Sequence, residues 1–354
     1  MTPLEAHLKQ CIAATGPMTL ADYMAECLGN PEHGYYTTRD PLGAAGDFTT
    51  APEISQMFGE LLGLCLAQAW IDRGAPAPFI LAELGPGRGT LMADMLRATR
   101  AVPGFHTALD LHLVETSPTL RTAQDAAISH PLTHHDSLTT LPNGPLYLIA
   151  NEFFDALPIR QFQRFDTRWR ERVVGLSQGA LALGLSDPLP PGFLVDRLQD
   201  TIEGDIVETC APGESLATAL GERIDREGGT ALLLDYGAWR SGGDSFQAVR
   251  NHETVGALET PGEADLTAHV DFGALARAAT PALHSALIPQ GVLLERLGIT
   301  ARAQALAQSL TGAASDSHIA AHRRLTHPQE MGTLFKAMAL YQTGTPVPPG
   351  FEAP

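Results

Sequence analysis

The stretch Leu81 to Leu96, LAELGPGRGTLMADML, constrains the fold of this 354-residue chain more than any other. An apolar run ends in three glycines at alternate positions, Gly85, Gly87 and Gly89, and a helical pattern starts directly after them. A glycine turn between strand and helix lets the backbone come very near a ligand. From about residue 78 the same rhythm repeats. FILAELG is a buried strand, GTLMADMLRATR a helix and LDLHLVE a second strand. SPTLRTAQDAAI is a helix capped by Ser117 with Pro118 in its first turn. A short strand near LTHHDSL precedes the apolar PLYLIANEFF. The alternation predicts an α/β fold with a parallel, doubly wound sheet. Right-handed connections then bring the strand C-terminal ends to one edge, where ligands bind.

The rhythm breaks twice. IRQFQRFDTRWRERVVGLSQGALALGL alternates like strands, carries Arg160, Arg164, Arg168, Arg170 and Arg172, and reads as an antiparallel insertion. A helix from about 212 and the strand GGTALLLDYG follow. The loop-rich SGGDSFQAVRNHETVGALETPGEADLTAHVDF interrupts again. PALHSALIPQGVLLERLGI and FKAMALYQ read as the last two strands around helices. Ahead of the elbow, residues 1–75 read as helix, glycine-rich loop, helix. The expected division is an N-terminal helical lid region over 1–75 and a catalytic domain over 76–354, with insertions at about 158–210 and 240–272.

A net charge of −17 disfavours binding to nucleic acid by counterion release. The four cysteines are scattered without a CxxC pair, so neither a disulfide framework nor a zinc site is expected. His134 and His135 are neighbours on a strand and point to opposite faces, so no metal is predicted. No apolar run is long enough to span a bilayer. MTPLEAHLKQ resembles neither a secretion signal nor a transit peptide. The expected compartment is the cytoplasm, or the mitochondrial matrix for a chain whose leader has gone.

Three ligands compete for the elbow. A phosphate-binding P-loop needs a GK[ST] ending, which Gly89-Thr90 lacks. A dinucleotide site shows GxGxxG, and here the third glycine comes one residue early. The third ligand is S-adenosylmethionine, which carries an amino acid and a sulfonium cation. Glu83 stands at the first strand end, where a carboxylate can face that cationic side. Glu115 ends the second strand and suits the ribose hydroxyls. Asp136 follows the third and is placed for the adenine amino group. Each acid alone reads equally well as a solvent-facing strand end. Three acids after three successive strands favour S-adenosylmethionine.

GDFTTAPEISQMFGE (46–60), ELGPGRGTL (83–91), LVETSPTLR (113–121) and ANEFFDALPIRQF (150–162), with DLTAHVDF (265–272) and QGVLLERLGI (290–299), resemble the MidA-type class I methyltransferases. This is the family of the mitochondrial complex I assembly protein arginine methyltransferase. The resemblance covers nearly the whole chain. It implies a seven-strand Rossmann-like class I methyltransferase sheet with an N-terminal helical cover and an antiparallel substrate insertion. It also implies a protein substrate, methylated on an arginine side chain, with a respiratory complex I subunit as candidate.

Against that background Asn151, Glu152 and Asp155 follow the fourth strand beside the expected methyl group. Glu152 and Asp155 are the candidate guanidinium clamp, since carboxylates hold that cation and localise its charge. The bland reading makes Phe153 and Phe154 core and Asn151 a strand cap. In DLTAHVDF, His269 beside Asp265 and Asp271 can assist proton removal, although Asp271-Phe272 also reads as a helix N-cap followed by core. Asp47 and Thr50 can close over the methionine moiety. Thr50 with Pro52 reads equally as a helix-capping turn. HGYY (33–36) offers aromatic surface for the same lid. The competing class is a non-catalytic assembly factor that retains the cofactor fold. An NAD-dependent oxidoreductase is a third reading, opposed by the glycine spacing. The oligomeric state is not legible.

Overall fold

The computed structural model describes residues 2–38, 49–190 and 192–354. Its main sheet holds seven strands in spatial order: β6 (Leu283–His284), β7 (Phe335–Tyr341), β5 (Gly229–Ala238), β4 (Leu146–Asn151), β1 (Phe79–Leu84), β2 (Leu109–Val114) and β3 (Thr133–His135). β1 to β5 run parallel, and β7 is antiparallel to both its neighbours. The two-residue strands Val270–Asp271 and Ile288–Pro289 add to β5 and β7. The expected sixth strand is therefore broken into two pieces. Between them Ser285 takes over the ladder, its hydroxyl accepting the Ala339 N–H at 3.0 Å.

Both faces of the sheet are covered, which is why β1 and β4 read as continuous apolar runs rather than alternating ones. Phe79, Leu81, Tyr147 and Ile149 pack under α3 (Gln56–Asp72) and α4 (Thr90–Thr99). Ile80, Ala82, Leu148 and Leu233 pack under α6 (Ala211–Glu227) and α7 (Phe272–Ala278). Two glycines bring α3 onto α4: a Cβ at Gly59 would lie 2.7 Å from Asp94 Cβ, and one at Gly63 2.8 Å from Met95 Cα. α5 (Pro118–Ala127) carries the expected cap, Ser117, with Pro118 in its first turn.

The first insertion is a five-stranded antiparallel sheet that recruits Met18–Thr19 from the N-terminal region as a strand. α1 (Pro3–Thr15) and α2 (Leu20–Gly29) pack on its inner face through Leu8, Tyr23 and Val174. Its arginines act largely within the insertion. Arg160 grips Glu171 through two bonds of 2.6 and 2.5 Å. Arg164 donates to the Leu198 and Thr201 carbonyls, Arg170 stacks 4.1 Å over Phe165, and Arg172 reaches Asp244 at 2.6 Å. Residues 247–267 form a separate three-stranded sheet.

The helix expected after the glycine-rich loop is interrupted at Ser55, whose extended backbone ends the short helix Ala51–Ile54 and whose hydroxyl caps α3 through Met57 N–H. Thr50 occupies the N-cap position of the short helix, but its side chain makes no capping bond. No helix among the described residues is long and apolar enough to cross a membrane.

Candidate active site

The C-terminal ends of β1, β2, β4 and β5 open onto a cavity of about 1100 Å³. This is at the upper end of the range for small-molecule sites, with room for a cofactor and an acceptor side chain together. At its floor the elbow turns with Gly85, Gly87 and Gly89 all in left-handed conformations (φ 61°, 54° and 83°). A Cβ at Gly85 would sit 2.8 Å from the Phe153 ring, so glycine is required there by contact as well as by φ. Gly85 and Gly87 line the cavity; Gly89 does not, and serves as N-cap residue of α4.

Glu83 is 2% exposed, and its Oε2 has no hydrogen-bond partner among the described residues. Burial, and then the nearby charge of Glu115, push its carboxyl up to about 8. Glu115 also lines the cavity. Its Oε1 accepts the Ser117 N–H at 2.8 Å, and burial raises its pKa. Asp136 is not part of this group. It is exposed, pairs with Arg121 at 2.6 Å, and does not line the cavity. The strand β3 is only three residues long and at the sheet edge, so the acid that follows it lies in solvent. Asp47 lies outside the described residues. Thr50 lines the cavity.

Beyond β4 the chain turns sharply, with Glu152 itself at φ 51°. For a residue with a side chain that is a strained conformation, worth roughly 1–3 kcal/mol. Glu152 Oε1 accepts from the Ala51 N–H and from Asn151 Nδ2, both at 3.1 Å. The carboxylate lines the cavity, and burial pushes it up to about 7 against the lowering effect of the Ala51 bond. Asn151 is buried, with Oδ1 lacking a partner among the described residues. Phe154 is core, whereas Phe153 lines the cavity against Gly85. Asp155 accepts from the Tyr236 hydroxyl, and burial pushes it up to about 6.

Asp235, at the end of β5, was not singled out from the sequence. It is 1% exposed and accepts three backbone N–H groups, from Phe154 (3.0 Å), Asp155 (3.2 Å) and Tyr236 (2.9 Å). It thereby shapes the turn that presents Glu152 and Asp155. Burial and those two neighbours hold its own carboxyl protonated well above the usual range. A signal existed, since ALLLDYG ends in an acid as β1 and β2 do. Tyr36 and Tyr236 also line the cavity, Tyr36 donating to Asp265 at 2.8 Å. Tyr35 is core. Arg324, from α8 (Ala313–Thr326), reaches the same cavity and its charge favours the ionised form of Glu152.

His269 lines the cavity, but not as the partner of two acids. Asp271 caps α7 through the Ala274 N–H and accepts the Ser241 N–H. The His269 ring stands edge-on to Tyr236 with centroids 5.4 Å apart, and burial together with Lys336 lowers its pKa.

Comparison with known proteins fits this geometry. Residues 61–288 match a family described as "Putative S-adenosyl-L-methionine-dependent methyltransferase". A zebrafish protein named protein arginine methyltransferase NDUFAF7, mitochondrial, is 36% identical, over 95% of this chain and 86% of its own length. The human protein of that name is 35% identical, over 96% of this chain and 83% of its own. The chain belongs to this methyltransferase family. A Burkholderia thailandensis protein solved bound to S-adenosylhomocysteine superposes with a TM-score of 0.83 at 26% identity, over 98% of this chain and 93% of the other. The methyltransferase has the class I fold and uses S-adenosylmethionine. Its own residues fit that cofactor: the unpartnered Glu83 oxygen can receive a cation, and the Gly85 cradle would be filled by any Cβ.

Proposed function

We propose that this methyltransferase transfers methyl groups to an arginine side chain of a protein, with the acceptor entering beside Glu152 and Asp155. The carrying observation is that these two carboxyls, both raised in pKa by burial, line the same cavity as the glycine elbow and Glu83. The zebrafish and human relatives are named protein arginine methyltransferases, which supports the same acceptor. In this reading Glu83 faces the cationic amino acid end of the cofactor, Gly85 and Gly87 admit it, Glu115 receives the ribose, and Thr50 meets the methionine part from the N-terminal region. The cofactor supplies an already activated methyl group, so the protein's tasks are alignment and exclusion of water.

A guanidinium is always protonated in water, with a pKa above about 12. Glu152 and Asp155 hold it, draw its positive charge towards two of its nitrogens, and leave the third a better nucleophile. A carboxyl near neutrality is also suited to take the proton released on transfer, and we assign that proton to Glu152. Asn151 Oδ1 is free to accept a further N–H. Asp235 and Tyr236 hold Asp155 in place, and His269 shapes the entrance. We assign residues 1–75 to a cover over this site and residues 76–354 to the catalytic domain with its two insertions.

The family resemblance makes a respiratory complex I subunit the candidate acceptor. The relatives' names place them in mitochondria, which supports the matrix option and runs against the cytoplasmic one. Glu152→Gln should bind S-adenosylhomocysteine with wild-type affinity while transfer falls by at least 100-fold. The assay is labelling of an extract from cells lacking the protein with methyl-labelled S-adenosylmethionine, followed by amino acid analysis. Methylarginine formed by the wild type and absent with the variant is the expected result. Label on other residues, or full activity in the variant, overturns the assignment.

A further inference from the structure

Gln124 is fully buried on α5, and its amide is directed at the cofactor end of the cavity. Nε2 donates to the Gly87 carbonyl at 2.7 Å and stands 3.5 Å from Glu115 Oε2. Oε1 lies 2.9 Å from His134 Nε2. One side chain therefore joins the middle of the elbow, the acid after β2 and a histidine on β3. The first two of these line the cavity. Only one orientation satisfies the amide. A carbonyl and a carboxylate both accept, so the NH2 group faces them and Oε1 needs a donor, which is the Nε2–H form of His134. The third elbow glycine has its reason here. A Cβ at Gly89 would lie 3.4 Å from Gln124 Cα and 3.1 Å from Ile128 Cδ1, at a φ that already favours glycine. Glycine lets α5 seat against the elbow.

We propose that Gln124, oriented by His134, is a positioning residue that holds the Gly87 carbonyl and the Glu115 carboxylate where they receive the nucleoside end of S-adenosylmethionine. This rests on the assignment of Glu115 to the ribose.

The test is calorimetric titration of S-adenosylhomocysteine into the full chain carrying Gln124→Met, Gln124→Glu, His134→Phe or Glu115→Gln, with methyl-transfer kinetics alongside. Gln124→Met weakens binding about tenfold, the equivalent of one lost hydrogen bond, and the loss falls on KM for the cofactor rather than on kcat. Gln124→Glu sets a second carboxylate against Glu115, among Arg121, Asp125 and His134. It binds more weakly still and recovers as pH falls towards 5, a response that a merely structural role would not produce. His134→Phe acts in the same direction by less, and adds nothing to Gln124→Met in the double variant. Unchanged affinity in Gln124→Met and His134→Phe, or a loss confined to kcat, overturns the proposal. If Glu115→Gln also binds normally, the ribose assignment itself has failed. If Glu115→Gln binds weakly while the Gln124 variants bind normally, only the positioning role is lost.

Discussion

Glu83 holds a buried carboxyl with one oxygen unmatched by any donor among the described residues, and burial keeps it protonated up to about 8. A cation placed against it would favour the ionised form. Binding of S-adenosylhomocysteine, which brings an ammonium group, should therefore expel close to one proton at pH 7. Titration in buffers of different ionisation enthalpy reads this directly, and Glu83→Gln should abolish the release and weaken binding. If the wild type releases nothing, Glu83 does not face the ammonium. Glu152 and Asp155 set a second pH dependence. Both hold a guanidinium only when ionised, so kcat/KM for the acceptor should rise with pH through the interval from about 6 to about 7. A flat profile across that interval would show that neither carboxyl titrates in the free enzyme.

At the scale of elements, glycine decides how closely helices approach. Gly63 faces the backbone of Met95, which cannot move aside without shifting α4 and with it the elbow. Gly63→Val should cost about 1–3 kcal/mol through overpacking and lower the melting temperature by several degrees. Leu64→Ala, one residue along but 42% exposed, should stay within about 0.5 kcal/mol. Equal melting temperatures for the two variants would contradict the packing. The caps at Ser117 and Asp271 were legible beforehand, because a hydroxyl or carboxylate before a helical run satisfies N–H groups that nothing else reaches. The break at Ser55 was not. Helical periodicity runs straight through it, and the short helix before the break brings its Ala51 N–H onto Glu152, 101 residues later in the chain.

For the whole molecule, several buried acids act together on stability. Glu83, Glu152, Asp155 and Asp235 all keep protons in the folded state at pH values where an unfolded chain, with carboxyl pKa values near 4, has lost them. At these four sites the native state binds more protons, so their contribution to stability falls as pH rises across that window, from about 4 to about 8. Thermal melts of the ligand-free protein should show the melting temperature declining from pH 5 to pH 8. Saturating S-adenosylhomocysteine should flatten the part that belongs to Glu83. At 100 times its Kd it should also add about 2.7 kcal/mol. A melting temperature that rises over this range would mean that the acids ionise in the folded protein as they do in water.

The strand-elbow-helix order, the α/β class and the acids at the ends of β1, β2 and β4 could be read from residues alone. These features depend on neighbours in the chain: glycines in a turn, two periodicities, a carboxylate following an apolar run. Tertiary structure alone decided the rest. Asp136 was placed with Glu83 and Glu115 by analogy of position, but β3 is a short edge strand and turns its acid to solvent towards Arg121. His269 was grouped with Asp271 because they are two residues apart, yet Asp271 is used as a helix cap and the ring faces Tyr236. Gln124 carries no distinctive local pattern, and the local patterns around Asp235 and Tyr36 do not say which groups they hold. Their meaning comes from partners 37 to 229 residues away in the chain, and only burial turns such a partner from one choice among water molecules into the one that remains.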